Sequence, residues 1–278
     1  MGGLGNQLFQ IFTTISYALD NCQPFVFSNT LTLGEGTTKT RKTYWNNFLK
    51  SLSRFLKTNL IIYCNIKEQR FTYTPIQKID HASDKICMLY GYFQSYKYFE
   101  HHFSRIYKMI SMDKQKEEIA VLANTYFKDH LNTFVGMHFR IGDYKELQHQ
   151  YKILGYDYYS SALNYVVENE MKEEKVFTQN VLYFCEDLDV EEVENIICKL
   201  KEEFPFYTFI RADPAIEDWQ QMIMMSCCRH NIIANSTFSW WGAYFNTNTN
   251  RIICSPKTWF SKAELVVDDL LPDSWIKI

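Results

Sequence analysis

The stretch HFRIGDY brings an imidazole, a guanidinium, a carboxylate and a phenol together at His138, Arg140, Asp143 and Tyr144. The apolar run before it, TFVGM, reads as a β-strand, so these groups gather at a strand end. Alternation along a strand puts His138 and Arg140 on one face. The planar guanidinium binds two phosphate oxygens at once and stays cationic at any working pH, which suits a leaving nucleoside diphosphate. The plainer reading of the same residues is an Arg140–Asp143 ion pair that ties down a turn.

A second constellation follows the run NIIA, where Asn235, Ser236, Thr237 and Ser239 stand ahead of a helical pattern. Such residues cap helices. Backbone N–H groups and hydroxyls at a helix N-terminus directly after a strand also form an anion site, so a pyrophosphate fits there without a metal. After VLYFC, the segment CEDLD places Glu186 and Asp187 at another strand end on the same side. There a carboxylate can accept from ribose or base hydroxyls, or simply cap the next helix. At the N-terminus, the GGLGN turn lets backbone approach a ligand closely, and Asn6 and Gln7 carry amide donors and acceptors. With no strand before it and an incomplete G-x-G-x-x-G, it is not a dinucleotide fingerprint.

Other chemistries find no footing. The chain has no GxSxG elbow, Walker A or HExxH motif, and its 7 histidines show no ligand spacing, which sets aside serine hydrolases, P-loop enzymes and zincins. No metal is expected, with a DxD-type Mn²⁺ pair at Asp187 and Asp189 left as the open alternative. A formal charge of −3 and the lack of a basic stripe argue against nucleic acid. The 8 cysteines have no CxxC spacing and several lie in apolar runs, so they read as free buried thiols in a reducing compartment. Neither a leader nor an apolar run of about 18 residues is visible, and the expected location is the cytoplasm.

These groups need a scaffold of strand ends. From residue 133 onward, TFVGMHFR, VLYFC, FYTFI, NIIA and RIIC alternate with helical patterns near 156–169, 189–203, 216–229 and through FSWWGAYF, before a last aromatic helix around Trp259. Parallel neighbours need crossover connections, so this rhythm predicts an α/β fold with a doubly wound parallel sheet, which binds ligands at its C-terminal strand ends. Upstream, the sequence predicts a helix capped by Asn6, a strand at PFVFSN, loops and one or two helices over 30–75, and a strand around ICMLYGYFQ. An exposed helix over 114–130 then leads to a boundary near residue 131, giving lobes 1–130 and 131–278.

In this order, GGLGNQLFQ (2–10), HFRIGDY (138–144) and NSTFSWWGAYF (235–245) resemble the α-1,2-fucosyltransferases of glycosyltransferase family 11. LGYDYYSSAL, FCEDL, SPKTWF and LLPDSW extend the likeness nearly end to end. The resemblance implies a GT-B-like architecture of two Rossmann-like lobes and an inverting enzyme that needs no metal or cofactor. Its donor would be GDP-β-L-fucose, and its acceptor a galactoside-terminated glycan receiving an α-1,2 link. It also implies roles. Arg140 would contact the diphosphate, His138 and Asp143 would complete the catalytic motif, and Asp143 is the candidate base. Asn235, Ser236, Thr237, Ser239, Glu186 and Asp187 would line the donor site in the C-terminal lobe. Asn6 and Gln7 would face the cleft from the N-terminal, acceptor-side lobe.

Two departures from the family pattern stand out. Many members carry a second Arg in HxRRGDY, where this chain has Ile141, and relatives carry an apolar strand before GGLGN, where only Met1 stands here. They leave open a catalytically degenerate descendant that still binds glycan or nucleotide. A nucleotide-dependent enzyme of another class, such as a dehydrogenase, is disfavoured by the incomplete glycine pattern.

Overall fold

The computed structural model describes residues 1–34, 40–78, 85–172, 178–261 and 268–278. They form two compact units that divide at Asp113 and Lys114, with described residues 268–272 belonging to the first unit and 273–278 to the second. The change of sequence pattern near 131 marks the first strand of the second unit rather than its start. The helix ahead of that strand already packs with it: Lys116 Nζ donates to the Phe245 carbonyl (2.6 Å), and Phe127 lies 5.6 Å from Phe134.

The first unit opens with helix α1 (Leu4–Asp20), whose Leu8, Phe9, Phe12 and Ile15 are fully buried, the one-face spacing of an amphipathic helix. Its N-cap is Gly3 rather than Asn6. Gly2, at φ +76°, turns the chain early enough for the helix to start before Asn6. A Cβ at Gly2 would come within 2.5 Å of Asn6 Nδ2. Strands β1 (Phe27–Ser28), β2 (Thr32–Leu33), β3 (Arg41–Lys42), β4 (Leu56–Lys57), β5 (Ile62–Lys67) and β6 (Ile86–Tyr90) follow. They join as three pairs: β1 with β4 parallel, β2 with β3 antiparallel, and β5 with β6 parallel. Over 30–75 the described residues are mostly loop, as the sequence suggests, but the helices expected there reduce to one 3₁₀ turn at Lys50–Phe55, and the short strands β2, β3, β4 and β5 were not expected. Part of the GEGTTKTRKT turn, 35–39, lies outside the described residues.

Cys64 and Cys87 stand opposite each other in the β5–β6 register, Cα atoms 4.7 Å apart, and form a disulfide. This corrects the expectation of free thiols for these two. Adjacent strands bring residues 23 apart in sequence to bridging distance. The other six cysteines remain free.

After α2 (Phe103–Met109) the chain enters the second unit within α3 (Met112–Tyr126) and continues through β7 (Phe134–His138), α4 (Tyr156–Lys172), β8 (Asn180–Phe184), α5 (Val190–Glu203), β9 (Thr208–Arg211), α6 (Asp218–Cys227), β10 (His230–Ile232), α7 (Thr237–Tyr244), β11 (Ile253–Ser255) and β12 (Ile276–Lys277). The six strands pair in parallel in the order β9-β8-β7-β10-β11-β12. The α/β class and the doubly wound sheet are as the sequence predicts. β12 is an additional strand, and around Trp259 the chain makes turns instead of a helix.

Alternation along β7 and β8 turns Val135, Met137, Val181 and Tyr183 toward one face. There they join Tyr159, Leu163 and Val166 of α4 and Val193, Ile197 and Leu200 of α5 in one core. Each such fully buried aliphatic side chain contributes about 1.5–3 kcal/mol. The other face carries α6 and α7: Asn231 Nδ2 donates to the Met225 carbonyl (2.9 Å), and the His138 ring lies against Phe238. Among the described residues, no helix is long and apolar enough to cross a membrane.

Candidate functional site

In the second unit the strand order reverses direction between β7 and β10. Open parallel sheets bind ligands at such a switch point, outside the C-terminal strand ends. HFRIGDY leaves the end of β7 and NSTFS leaves the end of β10, so the sheet brings the two sequence constellations together. Their direct link is the Tyr144 hydroxyl, buried, donating to the Asn235 carbonyl oxygen at 2.8 Å. Burial raises the phenol pKa, so Tyr144 holds its proton and remains a donor.

Arg140 sits just past β7 with its guanidinium engaged on two sides. It donates to Glu186 and pairs with Asp143 at 2.7 Å, over the Tyr144 ring at 5.6 Å. Burial disfavours its charge, but Glu186 and Asp143 together outweigh that and raise its pKa. The expected Arg140–Asp143 ion pair is present, and Glu186 from the end of β8 joins it. Asp187 turns away to pair with Arg211 at the end of β9. The fork is thus oriented and fully cationic, and a diphosphate would bind it by displacing a carboxylate.

The turn that aims Arg140 is pinned from below. Asp189, completely buried, accepts at Oδ2 from the Ile141 N–H (3.3 Å) and the Gly142 N–H (2.9 Å). Gly142 permits this approach: a Cβ there would meet Glu186 Oε2 at 3.1 Å and Asp189 Oδ1 at 3.3 Å. Asp187 and Asp189 therefore have separate structural partners, Arg211 and the Ile141–Gly142 backbone.

His138 is buried under α7, its ring 5.3 Å from Phe238. Burial, reinforced by the nearby Arg140 charge, lowers its pKa to about 3. At neutral pH it is a neutral imidazole, too weak a base to take a proton from a sugar hydroxyl. Among the described residues its buried Nδ1 has no hydrogen-bond partner, an unusual state for a polar atom in a core.

In the second constellation, Ser236 is the N-cap of α7 and accepts at Oγ from the Phe238 N–H (3.3 Å), while Thr237 is the first helical residue. Ser239 donates to the Ala234 and Ser236 carbonyls, each at 3.2 Å. Asn235 uses its amide N–H groups on the Lys152 and Trp259 carbonyls, both at 2.9 Å, while its buried Oδ1 has no partner among the described residues. Asn235 and Ser239 thus build the strand-to-helix turn. What the turn presents to an anion is the N-terminus of α7.

Asn6 and Gln7 belong to the first unit. Gln7 is buried, and its amide donates to the Gly2 (3.0 Å) and Lys42 (2.9 Å) carbonyls, a structural tie. Asn6 Oδ1 accepts from Gln94 Nε2 at 2.8 Å.

Sequence reasoning missed Arg211, Gly142 and Phe238. A cation directly after an apolar strand was the available signal for Arg211. The buried pairing of Asp189 with two backbone N–H groups has no local signature. Also missed was the convergence of Asp20, His101 and His102, whose ligand atoms lie within 4.8 Å of one another, so the histidines do gather where spacing suggested none.

Residues 22–278 match the family model described as Glycosyl transferase family 11. The chain is 31% identical over 199 residues to the O-antigen biosynthesis glycosyltransferase WbnK of Escherichia coli, covering 68% of this chain and 60% of that protein. It therefore spans less than two thirds of that relative's length. It is 24% identical to an alpha-1,2-colitosyltransferase of Escherichia coli across 100% of this chain and 96% of that one. A solved structure of an Arabidopsis thaliana FUT1 mutant in complex with GDP aligns over 98% of this chain and 73% of its own, at 11% identity and a TM-score of 0.48. With a family match over most of its length, the chain belongs to glycosyl transferase family 11.

Proposed function

We propose that this glycosyltransferase moves L-fucose from GDP-β-L-fucose to the 2-hydroxyl of a terminal galactoside, inverting the anomeric centre and using no metal ion. The observation that carries this reading is the oriented Arg140 fork beside the N-terminus of α7, at the sheet's switch point. As the bond to the anomeric carbon breaks, charge accumulates on the departing diphosphate, and prepositioned N–H donors stabilise that charge in the transition state. Asp143 is the group proposed to take the acceptor proton, and it must leave Arg140 to do so. His138, neutral and buried, contributes a hydrogen-bonding nitrogen rather than a proton shuttle. The resemblance of the three ordered motifs to the α-1,2-fucosyltransferases supports the donor and the linkage. For the setting, the six free thiols favour the cytoplasm, while the Cys64–Cys87 disulfide favours an oxidising compartment.

The colitosyltransferase relative supports a second reading for the donor. Colitose is L-fucose without its 3-hydroxyl, so the two donors differ by one polar group. A site built to hydrogen-bond that hydroxyl rejects the deoxy sugar by about four orders of magnitude, whereas one that leaves it in water barely discriminates. The test is to incubate the protein with lactose and EDTA and either GDP-fucose or GDP-colitose, then read the product linkage by NMR. An α-1,2-fucosyl product formed in EDTA is expected. Preference for GDP-colitose would reassign the donor, a requirement for Mn²⁺ would overturn the metal-free reading, and GDP-fucose binding without turnover would favour the degenerate binder.

A further inference from the structure

In the first unit, Asp20, the last residue of α1, meets two histidines from the 3₁₀ turn Glu100–His102. His101 Nε2 lies 3.0 Å from both Asp20 oxygens, and His102 Nε2 lies 2.9 Å from Oδ1. Neighbouring residues usually point apart, yet here both rings turn to one carboxylate, their centroids 4.5 Å apart. Ser16 Oγ is a further polar atom, 3.4 Å from His101 Nε2.

Charge at this spot is one-sided. The C-terminal end of a helix carries a partial negative charge, to which Asp20 adds a full one, and the last turn of α1 holds no basic residue. A cation held between the carboxylate and the two rings would offset that charge. Zinc binds imidazole nitrogen and carboxylate oxygen at about 2.0–2.2 Å, which puts tetrahedral ligand atoms about 3.3 Å apart. The two histidine–carboxylate separations of 2.9–3.0 Å open to that value by a few tenths of an ångström, and all three ligand atoms lie within 4.8 Å of one another.

We propose that Asp20, His101 and His102 form a binding site for a divalent transition-metal ion of the zinc class, which staples the C-terminal end of α1 to the Glu100–His102 turn. Mixed imidazole and carboxylate ligands select this class over the oxygen-seeking Mg²⁺. Asp20 and His101 are each about half exposed, which leaves a fourth position to water. The proposal does not depend on the sugar that the enzyme transfers.

The test uses the full chain, stripped with a chelator and desalted, in thermal unfolding with Zn²⁺ or Mg²⁺. Zn²⁺ at about a hundredfold excess over its Kd should raise Tm by about 5 °C, and Mg²⁺ should not. The double variant His101→Gln, His102→Gln should lose the Zn²⁺ response, while Cys22→Ser keeps it. Co²⁺ bound to the wild type should show visible bands of an N/O site without thiolate charge-transfer absorption. No Zn²⁺-dependent rise, a rise that survives in the double variant, or thiolate bands with Co²⁺ would each overturn the proposal.

Discussion

The hydroxyl of Tyr144 and the backbone carbonyl of Asn235 lie 2.8 Å apart in the interior, joining the loop after β7 to the loop after β10. One hydrogen bond therefore sets the spacing between the Arg140 turn and the start of α7. Tyr144 is itself fixed by stacking on Tyr151 at 4.4 Å. Tyr144→Phe keeps the stack but leaves a buried carbonyl unpaired, a loss of about 1–3 kcal/mol. Urea unfolding should show that loss, and GDP affinity should fall severalfold. Unchanged GDP binding in a destabilised variant would mean that the spacing does not matter to the donor.

Asp189 supports the same turn from the other side. In Asp189→Ala the N–H groups of Ile141 and Gly142 lose their buried acceptor, so a destabilisation of about 2–4 kcal/mol is expected. A Tm near that of the wild type would show the turn to be self-supporting.

Glu186 holds Arg140 in the absence of ligand, and a diphosphate competes with it. Glu186→Gln weakens that competition, so GDP affinity by calorimetry should rise severalfold, on the scale of about 1 kcal/mol for so exposed an ion pair. Weaker binding would instead assign Glu186 to the ribose or base.

His138 makes the protein acid-sensitive. Its pKa is about 3 when folded, against 6.5 as a free imidazole, so below neutrality the unfolded chain binds the extra proton. Its contribution is complete above pH 6.5 and is lost as pH falls from there toward 3. At pH 5 the loss is about 2 kcal/mol. Urea unfolding at pH 8 and pH 5 should show a difference smaller by about that amount in His138→Gln. Equal slopes would mean that the imidazole is not buried as a neutral group.

The second unit was legible because its strands are apolar runs, buried on both faces and separated by helices of crossover length. TFVGMH and VLYFC could be nothing else, and their order predicts which loops meet. β12 escaped because two residues carry no period. The first unit was hard for the same reason, since most of its strands are two residues long. Asn6 looked like a cap by residue type, but the positive φ of Gly2 started α1 earlier. The Arg140–Asp143 ion pair was readable from chemistry and spacing. That Asn235 and Ser239 serve the backbone, and that Asp189 pins the turn, depends on partners between 3 and 83 residues away. Cys64 with Cys87, and Asp20 with the two histidines, are likewise products of tertiary proximity.

The most direct measurement is the release of GDP from GDP-fucose, with and without lactose, by the wild type and by Arg140→Lys. Lysine keeps the charge but cannot engage two phosphate oxygens in one plane. The wild type should release GDP only when the galactoside is present, and the variant, folded to the same Tm within a few degrees, should be slower by about two orders of magnitude. Acceptor-dependent release from Arg140→Lys at the wild-type rate would contradict the role of the switch-point guanidinium.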